Sequence, residues 1–169
     1  MPTGKPLRVR VVVSLCAAAL AVALTGCPKV PKVVTKRLPG TAKESKLSVR
    51  VNVASNANRG HPVALDILLV ADKDLLKELQ KMSAVEWFEK RDQIILDHPK
   101  EGELVVSRWE WVPGQVISLD QVKVAPEVKA AIIFANYFTP GEHRAVVDPR
   151  RDVQIKLGES KLEVSQFKR

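Results

Sequence analysis

Six consecutive apolar residues, Ala130-Ala131-Ile132-Ile133-Phe134-Ala135, constrain the fold of this chain more than any other segment. Strand side chains alternate between two faces, so an unbroken apolar run of strand length must be covered on both. The run predicts a central strand over 129–137, closed by the turn Thr139-Pro140-Gly141-Glu142. Other strands surround it. Leu47, Val49, Val51 and Val53 alternate with Ser48, Arg50 and Asn52, the pattern of a half-buried strand. Val63, Leu65, Ile67 and Leu69 line one face of a second strand, Val63–Val70. Consecutive strands are usually neighbours, so the Asn- and Gly-rich segment 55–62 reads as a first hairpin turn. Further strands are expected at 103–112, at 115–124 after Pro113-Gly114, and at 143–147. A last hairpin joins 153–157 to 161–167.

Between the second and third strands the period changes from two to that of a helix. Asp72 or Asp74 caps a helix with Leu75, Leu76, Leu79 and Met82 on one face. Ser83 and Glu86 form a capping box that starts a second helix over 84–91, with Trp87 and Phe88 as its anchors on the sheet. Residues 92–102 read as a loop. Seven or eight short strands and one helical insertion at 72–91 imply a mainly β chain, folded as a two-sheet β-sandwich over 47–169.

The N-terminus has a different character. Lys5, Arg8 and Arg10 precede an apolar run, Val11–Leu24, interrupted only by Ser14, with no acid before Glu44. A basic start and an apolar run too short for a comfortable membrane span read as a secretory signal over 1–26. The segment Leu24-Thr25-Gly26-Cys27 matches the lipobox of bacterial lipoproteins. That resemblance implies cleavage after Gly26, diacylglycerol (palmitate-type chains) on the Cys27 thiol and usually a further acyl chain on the new amine. Two or more chains hold a protein stably at a bilayer. Pro28 stands where an aspartate would favour inner-membrane retention, so the likeness points to the periplasmic face of the outer membrane. Residues 27–46 hold Pro28, Pro31, Pro39 and Gly40 among scattered Lys and Arg, which describes a lipidated cysteine and a flexible tether. Fully extended, such a tether spans roughly 60 Å.

Losing Lys5, Arg8 and Arg10 with the signal takes the formal charge from +8 to +5. Nucleic acid is excluded as a partner by the compartment. Cys16 leaves with the signal and Cys27 is consumed by lipid, so neither a disulfide nor thiol catalysis is available to the mature domain. Three histidines remain: His61, His98 and His143. Asp97, His98 and Glu101 are the one cluster with ligand-type side chains, in a polar loop without zinc-site spacing, and no metal site is expected. Serine hydrolase chemistry lacks a nucleophile elbow, with Ser107 and Ser118 inside strands. Glu101, Glu103 and Glu110 are no closer than chance allows in a chain with 27% charged residues, so no enzyme is expected. Trp109 and Trp111 share one sheet face. They seal a core or lie beneath a helix, which Trp87 and Phe88 offer; the other reading is a stacking platform for a glycan or small molecule.

Three stretches carry a family resemblance. Asn56-Ala57-Asn58-Arg59-Gly60-His61-Pro62-Val63 is similar to an N-x-x-x-G-x-x-P-V turn with slightly shifted spacing. Pro113-Gly114 resembles a strand-starting Pro-Gly, and Ala131–Tyr137 followed by His143-Arg144-Ala145-Val146-Val147-Asp148 resembles a paired late-strand signature. With the lipobox and tether, this order of features resembles the type VI secretion lipoprotein family TssJ, whose domain is a transthyretin-like sandwich. The chain departs from the family at Leu68-Leu69-Val70, where a Tyr-x-Leu is common, and in a longer helical segment. The resemblance implies a structural role: docking the periplasmic C-terminal region of the inner-membrane protein TssM, which with TssL completes a trans-envelope complex. By position, the family's contact loop falls on Asn56, Ala57, Asn58, Arg59, Gly60 and His61. It implies no cofactor beyond the lipid on Cys27 and no small-molecule substrate. The alternative is a periplasmic ligand-binding lipoprotein that uses the tryptophan face.

Overall fold

The computed structural model describes residues 44–167; the signal, Cys27 and nearly all of the tether lie outside the described residues. Eight strands form two four-stranded sheets. One sheet has the order β4-β1-β7-β8, from β1 (Ser45–Val53), β4 (Val116–Val124), β7 (Asp152–Leu157) and β8 (Leu162–Phe167). The other has the order β3-β2-β5-β6, from β2 (Val63–Val70), β3 (Leu104–Trp111), β5 (Ala130–Asn136) and β6 (Arg144–Val147). Neighbours are antiparallel except β1 and β7, which run parallel with Val49 opposite Val153. The mainly β, two-sheet sandwich with a helical insertion after β2 is the architecture that the periodicity implies.

The alternating residues meet between the sheets. Leu47, Val49, Val51 and Val53 of β1 face Val63, Leu65, Ile67 and Leu69 of β2 in one buried cluster, with Ile155 and Leu157 of β7 and Ile133 of β5. Strand β5 behaves as its composition requires. Ala131, Ile133 and Ala135 enter this core, while Ile132 and Phe134 point to the opposite face. There they meet α1 (Lys73–Leu79) and α2 (Ala84–Asp97) through Leu75, Leu79, Ala84 and Trp87. Trp87 stacks on Phe134 at 5.4 Å. Asp72 caps α1 by accepting from the backbone N–H groups of Asp74 and Leu75. Both halves of the Ser83–Glu86 capping box are present at α2.

Three details differ from the sequence reading. First, β1 and β2 do not pair; segment 54–62 carries the chain from one sheet to the other. Burial of both inner faces is satisfied across the sandwich, which period-2 patterning cannot tell apart from a hairpin. Second, the insertion ends at Asp97 and not at residue 91, because Ile94 and Ile95 continue the apolar stripe that begins at Trp87. Third, the helix does not sit on Trp109 and Trp111. Those indoles stack on each other at 6.2 Å and pack against the inter-sheet core, on the face of β3 turned away from α2.

Candidate functional site

Four connections gather at one end of the sandwich: 54–62, 112–115, 137–143 and 158–161. The register places them together, since Val53 lies opposite Leu157 and Ala64 opposite Asn136. Strand β1 enters at the other end, its nine residues spanning about 30 Å.

The 54–62 connection is built around Asn58. A short 3-10 turn, Ala57–Gly60, brings Asn58 and Arg59 into the left-handed region (φ 46° and 58°), followed by Gly60 at 84°. Asparagine tolerates that conformation and glycine adopts it freely; arginine does neither, so the surroundings must hold the turn. Asn58 supplies the hold. Its side chain is buried, with Nδ2 donating to the Pro62 carbonyl (3.0 Å) and Oδ1 accepting from the Phe138 N–H (2.9 Å). Its own N–H donates to the Gly158 carbonyl. One residue therefore ties three connections together.

The 137–143 connection is equally fixed. The Tyr137 hydroxyl donates to the Lys161 carbonyl (3.0 Å), and burial pushes its phenol up to about 12. His143, at φ 40°, tucks its ring against Tyr137 (4.5 Å) with Nε2 2.8 Å from the Thr139 carbonyl. A Cβ on Gly141 would come within 2.8 Å of that ring nitrogen, so only glycine allows the closure. The N-terminus of α2 is pinned nearby, where the Ala84 N–H donates to the Glu142 carbonyl and Arg144 donates to the Met82 carbonyl.

Of the six residues assigned to contact by resemblance, the fold exposes four. Asn56 donates to Glu159 at 3.2 Å, and Arg59, Gly60 and His61 face outward. Ala57 and Asn58 are buried and serve the loop itself. Sequence reasoning assigned nothing to Phe138, which is 67% exposed with its ring 5.0 Å from that of His61 in an edge-on contact. The available signal was a large aromatic directly before Thr139-Pro140-Gly141, one position beyond the strand expected over 129–137.

The other candidates are dispersed. His98 Nδ1 lies 3.2 Å from Glu103 Oε1, while Asp97 accepts from Gln93. Among the described residues, no three His, Cys, Asp or Glu side chains gather as metal ligands. No described helix is long and apolar enough to cross a membrane.

No family model and no curated protein matches this chain. Solved structures do. The type VI secretion lipoprotein TssJ1 of Pseudomonas aeruginosa is similar with a TM-score of 0.60 at 14% identity, over 75% of this chain and 99% of that one. Lip of Serratia marcescens, a membrane-bound component of the type VI secretion system, is similar with a TM-score of 0.54 at 14% identity, over 74% and 99%. A chain in the structure of the TssM C-terminal domain from EAEC also gives 0.54, at 13% identity over 72% and 98%. The class is thus a helix-capped two-sheet sandwich, and within it the chain has a TssJ-like fold.

Proposed function

We propose that this chain is a non-catalytic lipoprotein, anchored through Cys27 at the periplasmic face of the outer membrane. There it docks the periplasmic region of a TssM-like inner-membrane protein in a type VI secretion envelope complex. The observation that carries the reading is fold likeness to TssJ1 along nearly the whole of that chain, together with the lipobox residues. The interlocked loop end supports it further, since rigid loops on a scaffold make a surface ready for contact. The glycan reading has less support, because Trp109 and Trp111 are half-buried against the inter-sheet core.

The test measures binding of the full lipoprotein to the periplasmic region of a TssM-like protein. Binding that weakens when Arg59 and His61 are both changed to Ala supports the docking surface. No binding by the unchanged protein refutes the reading. The anchor is checked separately: Cys27→Ser abolishes incorporation of labelled palmitate and releases the protein from outer-membrane fractions.

A further inference from the structure

Phe138 is an exposed aromatic in a connection between strands, and hydrogen bonds hold it there. Its own N–H is bonded to buried Asn58, and the preceding Tyr137 is bonded to Lys161. The following Thr139 donates its hydroxyl to the Ser160 carbonyl at 3.2 Å. An aromatic ring is therefore presented to solvent from a segment tied by hydrogen bonds at three consecutive residues, through the side chains of Tyr137 and Thr139 and the backbone of Phe138. Leaving it exposed forgoes burial free energy, whereas a prefixed aromatic loses little entropy on entering a pocket. The flank carries both signs of charge. Arg59 is exposed and makes no salt bridge among the described residues, while nearby Glu142 is paired with Arg144 and Glu159 accepts from Asn56.

We infer that Phe138 is the anchor of the docking surface, inserting into an apolar pocket on the partner protein whose rim bears carboxylates facing Arg59. The inference rests on the docking reading and narrows it to one side chain and one pocket chemistry. Centrally placed aromatic anchors carry a disproportionate share of interface affinity, and rim charges act mainly on encounter and salt dependence.

The experiment titrates the full lipoprotein against the TssM-like periplasmic region by calorimetry. Phe138→Ala is expected to weaken binding by about tenfold or more, and Phe138→Leu to keep most of the affinity. Leu96→Ala, which removes a side chain 72% exposed on α2, is expected to leave binding unchanged. Arg59→Glu is expected to weaken binding more at low salt than at high salt. Thermal melts of Phe138→Ala matching the unchanged protein confirm that the loss is local. Affinity for Phe138→Ala within about twofold of the unchanged protein overturns the anchor but leaves docking standing. An equal loss in Leu96→Ala also overturns it, as unspecific apolar association. Absence of binding by the unchanged protein removes docking and anchor together.

Discussion

The outer faces of β1 and β2 make an instructive pair. Both strands turn Val and Leu inward to one shared core. Outward, β1 shows Ser48, Arg50 and Asn52 to solvent, whereas β2 shows Asp66, Leu68 and Val70 to the helices. A sheet that is polar on one side can stand uncovered; one that is apolar on both sides cannot. The helical insertion is thus the cover that the β2–β5 face demands. Asp66 is the exception within that face. It is 1% exposed, and its Oδ2 accepts from the Trp87 indole (2.9 Å) and Arg91 (3.0 Å), while Oδ1 has no hydrogen-bond partner among the described residues. The carboxylate acts as a clasp between sheet and cover, at the cost of one unsatisfied acceptor.

Substitutions on the two faces should therefore differ widely. Trp87→Ala removes the largest side chain under the cover and is expected to cost about 3–5 kcal/mol in chemical denaturation. A loss below about 1 kcal/mol would mean that the helices are dispensable to the sheet. Asp66→Ala leaves the Trp87 N–H buried and unpaired, with an expected cost of about 1–3 kcal/mol. Asp66→Asn, which can still accept, should recover part of it.

The tie between the sheets at the loop end responds to alkali. The phenol of Tyr137, the single tyrosine of the chain, is raised from 10.0 to about 12. Its contribution to stability is fully present below pH 10 and is lost as pH rises through about 12. Ultraviolet titration of the native protein should show one ionisation near the upper value, and an ordinary value near 10 would mean that the Tyr137–Lys161 bond opens in solution. At the small end, Asn52→Ala on the open face of β1 is expected to change stability by less than about 0.5 kcal/mol.

Local periodicity carried much of the fold into the sequence. The two-faced run at 130–135, the alternation at 47–53 and the Ser83–Glu86 box each declare their own structure, because the causes are short-range. Sheet membership is different. The parallel partner of β1 is β7, far along the chain, and nothing near Val49 announces it. The last turns of α2 escaped because Asp92, Gln93 and Asp97 resemble loop composition, while the two residues that extend the stripe, Ile94 and Ile95, sit among them. At the candidate site, turn chemistry marked 56–61 correctly as a loop. The inward role of Asn58 depends on the Pro62 carbonyl and the Phe138 N–H, groups that only tertiary structure brings within reach.

The β1–β7 pairing also sets the order in which the molecule can assemble. Val49 meets Val153, 104 positions away, and β7 in turn holds the last strand. The first strand of the domain cannot be enclosed until nearly the whole chain is available, so assembly is governed by long loop closure and belongs with the millisecond-to-second folders. A chain emerging N-terminus first stays open until its final strands arrive. Removing those strands by truncation would strand β1 at an edge beside β4 alone, exposing a ready template for aggregation.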